Sequence, residues 1–401
     1  MKLLQINSTV NSGSTGRIAE HIGRIAIENG WESYIAYGRH RNTSFSKEIQ
    51  IGTKLDVYLH GIYSLLTDKH GLASINATNK FIDYVKYIKP DVIHLHNIHG
   101  YYLNYKYLFE YFAKIDTPIV WTMHDCWSIT GHCSHFESVT CNKWKNLCNH
   151  CPLKTSYPRS LLLDNCNSNY LLKKKLFTKP NNINIITVSK WLEGIMKDSF
   201  LNKYPIHTIY NGVDISSFRP IPFKHLKEGL KCENKKILLG VATAWSERKG
   251  LSDYYKLAQK LPPNIQIILV GLNKKQLKEV PSNIIGIERT ESIQQLAEYY
   301  SMADIVLNLS YEETFGLTTV EGFACGTPGI VYDKTASPEL VSHDTGIIVE
   351  AGNIDSLVVA ISAMLKQNKE LYSKACRNRA INSFDIRTNY YKYIDLYKNL
   401  I

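Results

Sequence analysis

Apolar residues along this chain fall into two alternating patterns. Short continuous runs read as buried strands: Lys2–Ile6, Ser33–Tyr37, Asp91–Leu95, Pro118–Met123 and Ile183–Val188 in the first half. Between them lie stretches with apolar residues every three or four positions, such as Gly16–Asn29, where Ile18, Ile22, Ile25 and Ala26 share a helical face and Gly30 ends it. A helix follows Ser189. The second half repeats the pattern, with strands at Lys236–Ala242, Ile265–Val270, Ile305–Leu309, Gly329–Tyr332 and Gly346–Val349. Its helices are Leu251–Lys260, Ile293–Ser301, Thr318–Cys325 and Asp355–Lys366. Strands that are apolar throughout, separated by amphipathic helices, predict an α/β protein with parallel sheets covered by helices.

Two segments interrupt this rhythm. Residues 126–168 are rich in Cys, His, Asn and Lys and read as an irregular insertion. Tyr210–Asp214, Pro220, Pro222 and the charged run Lys224–Lys236 read as a hinge. The expected organisation is a first Rossmann-like domain over 1–206, carrying the insertion, and a second over 207–387. A final helix over 388–400 returns to the first. Two such halves are expected to face each other across a ligand cleft at their strand ends.

Composition supports this division. With 401 residues and 44% hydrophobic content, the chain is too long for one core and too apolar for disorder. Gln5 and Asn7 interrupt any apolar leader, no run of 18 apolar residues follows, and nine cysteines without a leader are expected to be reduced. These features predict a cytoplasmic protein. The net charge of +11 is local, since residues 151–250 hold 17 basic against 7 acidic groups. That band suggests an anion-facing surface, either a phosphate site or the inner face of the plasma membrane, and argues against a nucleic-acid coat. Lys173–Lys175, beside Leu171, Leu172, Leu176 and Phe177, are the expected membrane contact; the alternative is a solvated helix face.

The densest chemistry is Ser310-Tyr-Glu-Glu-Thr-Phe-Gly-Leu-Thr-Thr-Val-Glu-Gly-Phe-Ala-Cys-Gly-Thr-Pro328. On one helix Glu313 and Glu321 would sit about 80° apart, so Gly316 argues instead for Glu313 in a loop and Glu321 early in a helix. Helix amides would then lie between two carboxylates, suited to a phosphate flanked by sugar hydroxyls. This stretch resembles the Glu-x7-Glu signature of retaining glycosyltransferases of the GT-B fold, glycosyltransferase family 4. Further matches are Thr122-Met-His-Asp125, Tyr210-Asn-Gly-Val-Asp214, Phe218-Arg-Pro220, Arg248-Lys-Gly250 and Gly346-Ile-Ile-Val349.

The resemblance implies a nucleotide diphosphate sugar donor, UDP- or GDP-linked, and a glycan or lipid-linked acceptor of surface polysaccharide synthesis. It places Glu313 by the donor sugar and Glu321 on the ribose. Backbone amides of Phe315, Gly316 and Leu317 would meet the sugar, and Thr318 and Thr319 the diphosphate. Lys249 would neutralise the leaving phosphate, with Arg248 assisting; the positions where the family often carries another Arg are Thr243 and Ala244 here. No Asp-x-Asp occurs, so fixed cations and amides are expected to replace a catalytic metal. By the same resemblance His124 touches the donor sugar or reacting centre with Asp125 orienting it. Gly13, Gly16 and Arg17 form a glycine-rich phosphate loop, unless they are only a flexible turn.

His94, His96 and His99 read as polar lining of the acceptor side rather than a metal site. In the insertion, Cys133, Cys141, Cys148 and Cys151 end in a Cys-x2-Cys knuckle. They are expected either to hold a structural zinc, with His132, His135 and His150 as alternative ligands, or to remain free thiols; an iron–sulfur cluster is a remoter option. Two competing functions are a sugar-nucleotide epimerase of the same plan and a zinc-containing RNA-binding protein.

Overall fold

A computed structural model describes residues 1–401. The chain divides into two units, Met1–Ile209 with Tyr390–Ile401, and Tyr210–Asn389.

The first unit is built on seven strands: β1 Lys2–Ile6, β2 Glu32–Tyr37, β3 Lys47–Gln50, β4 Val92–Leu95, β5 Ile119–Met123, β6 Ile183–Thr187 and β7 Ile206–Thr208. All pair in parallel, in the order β3-β2-β1-β4-β5-β6-β7. Leu3, Leu4, Ile6, Val92, Ile93, Ile119 and Val120 are fully buried, because helices cover both faces of the sheet. The polar exceptions, Gln5, His94 and Thr122, all have hydrogen-bond partners inside the sheet region. Helix Ile386–Leu400 begins in the second unit and ends in the first, where Tyr393 and Tyr397 are buried and bond to Thr122 and His94.

The second unit has six parallel strands in the order β10-β9-β8-β11-β12-β13. They are β8 Lys236–Val241, β9 Ile265–Val270, β10 Ile284–Ile287, β11 Ile305–Asn308, β12 Gly329–Tyr332 and β13 Gly346–Val349. Its core packs Leu238, Tyr254, Leu257, Ile267, Leu269, Leu307, Ile330 and Leu357. Burial of each such side chain contributes roughly 1.5–3 kcal/mol.

Several boundaries differ from the sequence expectation. The first helix starts at Gly13, not Gly16. The helix carrying Glu321 starts at Leu317, with Gly316 in the cap position at φ 102°. Edge strands β3, β7 and β10 and the helices Lys54–Thr67, Ile75–Ile88, Tyr105–Phe112, Cys166–Phe177 and Lys369–Phe384 had no expectation attached. β3 reads Lys-Glu-Ile-Gln, with one apolar residue, so only pairing with β2 makes it a strand. The expected hinge is ordered: Asp214 accepts from the amides of Ser216 and Ser217, Val213 bridges to Asp385, and Lys224–Gly229 is helical.

Up to residue 165 the insertion contains only short 3-10 turns, its last three residues opening helix Cys166–Phe177, and Trp127, Phe136 and Trp144 are buried within it. The membrane expectation for Lys173–Lys175 is corrected at Lys173, and at the neighbouring Leu176 and Phe177, which are buried. Lys173 is 1% exposed and donates to the carbonyls of Trp127 (2.7 Å) and Thr130 (3.0 Å). Asn169, Tyr170, Lys173, Leu176 and Phe177 form the inward face of that helix, leaving Leu171, Lys174 and Lys175 outside. No helix is long and apolar enough to cross a membrane.

Candidate active site

In an open parallel sheet, ligands bind beyond the carboxyl ends of the strands, where connections leave to opposite sides. In the second unit that point lies between β8 and β11, which are hydrogen-bonded neighbours. The loop after β8 carries Arg248 and Lys249 on a 3-10 turn, and the loop after β11 carries Glu313. Lys249 Nζ pairs with Glu313 Oε1, both side chains being largely buried. Ser310 Oγ donates to the same oxygen at 3.3 Å. The Glu313 amide donates to Thr335 Oγ1 at 2.8 Å, and its carbonyl accepts from the Ala336 amide, so the backbone of Glu313 is clamped from both ends. Arg248 Nη1 donates to the Glu312 carbonyl (3.0 Å), and its own carbonyl accepts from the Tyr311 amide (2.9 Å). Arg248 therefore braces the glutamate loop. Gly250 lets the two loops meet: its φ is 73° and a Cβ there would lie 2.1 Å from the Leu309 carbonyl oxygen.

The helix Leu317–Ala324 has no side-chain cap. Its start combines the amides of Leu317 and Thr318 with the positive end of the helix dipole. Thr319 departs from expectation, since its amide already donates to the Gly316 carbonyl and its hydroxyl accepts from Asn308 at 3.1 Å. The Phe315 ring is buried against Tyr210 and Phe384, which leaves only its backbone for a ligand. Glu321 is half-buried one turn on, with Tyr300 donating to its Oε2 at 2.7 Å. The structure thus brings Lys249, Glu313, Gly316, Leu317 and Thr318 to one end of the second sheet.

In the first unit the corresponding point lies between β1 and β4. Gln5 Nε2 donates to the Ala19 carbonyl (2.8 Å), which orients the amide so that Oε1 accepts from His96 Nε2–H at 3.1 Å. A neutral His96 then offers Nδ1 as an acceptor, and His124 Nε2–H donates to it at 3.1 Å. His124 is left with Nδ1 as a lone-pair acceptor. Burial pushes the His124 pKa down to about 4 and holds His96 well below its ordinary value, so both are neutral at pH 7. Asp125 does not orient His124. It bonds His99 Nε2 at 2.9 Å and the Trp127 amide at 2.9 Å. Burial opposes its ionisation, but His99 and those hydrogen bonds hold the carboxyl well below the usual range.

The three histidines of the 94–99 segment face different partners. His94 bonds Thr122 and Tyr397, His96 bonds Gln5 and His124, and His99 bonds Asp125 and Tyr157. Gly16 is buried against Thr9 and Asn11, where a Cβ would meet Thr9 Oγ1 at 2.6 Å. That contact closes the first loop onto its helix. Gly13 (φ 67°) and Arg17 are exposed, Arg17 Nε donating to the Gly13 carbonyl.

Cys133, Cys141, Cys148 and Cys151 line one small pocket, which Cys166 and His132 also line. All are free thiols, and no set of three or more His, Cys, Asp or Glu side chains is arranged to hold a metal ion. Cys148 Sγ accepts from the Gly131 amide (3.3 Å), and the Cys133 thiol is pushed up by its hydrogen bond to Cys151 and by burial. The zinc expectation gains no support from this geometry.

Sequence reasoning passed over Gln5, Ser310 and Thr335 as site residues, and read His96 only as polar lining. Gln5 alone had a visible signal, a polar residue in the middle of an apolar strand.

Comparison with known proteins gives the family and the fold. Residues 15–217 match the family model described as Glycosyltransferase Family 4, and residues 223–382 match Glycosyl transferases group 1. A glycosyl transferase of Escherichia coli K12 named for colanic acid biosynthesis, WcaC, is 22% identical with all of both chains covered. An E. coli UDP-Gal:alpha-D-GlcNAc-diphosphoundecaprenol alpha-1,3-galactosyltransferase is 25% identical over 51% of this chain and 57% of its own. Among solved structures, sucrose-phosphate synthase from Thermosynechococcus elongatus superposes with a TM-score of 0.74 at 16% identity, covering 100% of this chain and 98% of that one. Anabaena HepE in complex with UDP-glucose gives 0.67 at 16% identity, with 100% of both chains covered. The fold is GT-B.

Proposed function

Because the chain belongs to glycosyltransferase family 4, we propose that it is a retaining transferase that moves a sugar from a nucleoside diphosphate sugar to a hydroxyl of a glycan or lipid-linked acceptor in surface polysaccharide synthesis. The observation that carries this reading is the Lys249–Glu313 pair beside the uncapped start of helix Leu317–Ala324. A donor diphosphate there meets a fixed cation and helix amides, so negative charge on the leaving phosphate is stabilised by groups already in place. Glu313, its backbone clamped, accepts sugar hydroxyls and holds Lys249 in position. Glu321 takes the ribose. His124 Nδ1 accepts a sugar hydroxyl in the first unit. Retention follows from attack on the face the phosphate leaves, with that phosphate taking the acceptor proton, so no carboxylate nucleophile is required.

The donor is UDP- or GDP-linked. Support for UDP comes from the galactosyltransferase whose name specifies UDP-Gal and from HepE bound to UDP-glucose. Support for a lipid-linked acceptor comes from the same galactosyltransferase and from a diacylglycerol alpha-glucosyltransferase of Acholeplasma laidlawii, 26% identical over 43% of this chain and 54% of its own. The absence of Asp-x-Asp and the presence of Lys249 support transfer without a divalent metal.

The test is a panel of nucleotide sugars with a membrane-lipid extract as acceptor, scored for released nucleoside diphosphate with EDTA present. Turnover is expected in EDTA, and Lys249→Ala and Glu313→Gln should each lose about 10²–10³-fold. Normal rates in both variants, or activity restored only by Mn²⁺ or Mg²⁺, would overturn the assignment.

A further inference from the structure

The helix Lys54–Thr67 is inside out. Its buried residues are His60 and Ser64, while Leu55, Tyr58, Leu59, Ile62, Tyr63 and Leu66 are exposed. Those six positions fall within about 140° of arc on a helix of 3.6 residues per turn, so they form one continuous stripe. Its polar side is satisfied inward: His60 Nδ1 bonds Ser74 Oγ at 2.8 Å and His60 Nε2 accepts from the Gly71 amide at 3.2 Å. The insertion extends the stripe. The Leu161 amide donates to the Leu65 carbonyl (3.0 Å), which sets Leu161, Leu162 and Leu163, the second 73% exposed, beside the end of the helix. A contiguous exposed apolar stripe rimmed by polar residues marks an interaction surface.

We infer that this face docks on an anionic lipid bilayer, with the helix lying in the plane of the headgroups. The charge around it selects that occupant. Lys54 and Lys69 flank the helix, Arg159 stands exposed before the leucines, and Lys154 Nζ reaches the Leu162 carbonyl at 3.4 Å. Across residues 53–72 and 153–164 the carboxylates are Asp56, held by Thr53 in the helix cap, Asp68, which is buried, and Asp164, which is exposed and accepts from the amides of Cys151 and Cys166. A second copy packed across a two-fold axis would set these cations against their own counterparts, whereas acidic headgroups complement all four. The inference deepens the lipid-linked acceptor reading by naming the surface that brings the enzyme to such an acceptor.

The experiment is sedimentation of the full chain with vesicles of equal parts phosphatidylglycerol and phosphatidylcholine, and with phosphatidylcholine alone, without sugar donor. Wild type should bind the mixed vesicles more tightly than the neutral ones. Replacing Leu55, Leu59 and Leu66 by Ser should lower affinity at least about tenfold, the loss of three inserted side chains. Lys54→Glu with Lys69→Glu and Arg159→Glu should abolish the preference for phosphatidylglycerol. Val359→Ser with Leu371→Ser, exposed in the second unit, is the control and should bind as wild type. Circular dichroism melting verifies that each variant is folded. Unchanged binding in the leucine variant, an equal loss in the control, or a vesicle-free dimer that the leucine variant dissociates would overturn the inference. A failure to find transferase activity would leave this result standing.

Discussion

Gln5 shows how one side chain can set the chemistry of another two links away. Its amide is oriented by the Ala19 carbonyl, and that orientation passes through His96 to fix the tautomer of His124. Nitrogen-15 NMR of histidine-labelled protein should report His124 protonated at Nε2 and bare at Nδ1. Gln5→Leu removes the directing acceptor and should produce a mixture of tautomers. His96→Asn keeps an acceptor near the Nδ1 position and should preserve the wild-type signal. A wild-type His124 protonated at Nδ1 would contradict the relay. At this scale Glu313, Lys249 and His124 were legible in the sequence, because each lies in a motif contiguous along the chain. Their supports were less so: Thr335 and Gln5 reach them only through segments that the fold brings together, Ser310 stood in the motif without a role, and His96 was read only as lining.

Among the elements, β4, β5 and their outgoing loops, together with helix Lys54–Thr67 and the loop after it, concentrate neutral histidine in the first unit. Burial lowers the pKa of His60 and His124 to about 4 and holds His70, His94 and His96 well below the ordinary value. In the unfolded chain these groups titrate near 6.5. As pH falls below that value the unfolded state takes up protons that the native state refuses, so native stability falls as pH falls. The effect should be absent above about pH 7 and should steepen as pH falls from about 6.5 to about 5, at up to about 1.4 kcal/mol per pH unit for each histidine, with the His60 and His124 contributions levelling off as pH nears 4. Urea titrations at pH 7.5, 6 and 5 would measure it, and a flat profile across that range would contradict the buried neutral assignment. Helix periodicity identified the buried face of Gly13–Glu28, where Ile18, Ile22, Ile25 and Ala26 point inward. It could not orient Cys166–Phe177 or Lys54–Thr67, whose inward faces carry Lys173 and His60.

For the whole molecule, the final helix follows one unit along the chain and packs in the other, the return the sequence analysis expects. Tyr390–Ile401 follows the second unit in sequence but belongs to the first, with Tyr390, Tyr393, Ile394 and Tyr397 buried. Truncation after Asn389 should destabilise the first unit by more than about 3 kcal/mol, the cost of deleting even one buried aromatic side chain. Hydrogen exchange should show lost protection in β4 and β5; unchanged protection there would contradict the assignment. The alternation of apolar strands and amphipathic helices was enough to establish a doubly wound α/β architecture, because strand burial on both faces and helix burial on one leave distinct periods in the chain. The Glu-x7-Glu motif was enough to indicate a glycosyltransferase, because its residues lie together on one strand–loop–helix connection. Periodicity groups residues onto a common face without saying which face is buried. The inside-out helix, the buried Lys173 and the Gln5–His96–His124 relay therefore depended on tertiary packing, which alone determines which distant groups share a dry environment and must satisfy one another's hydrogen bonds.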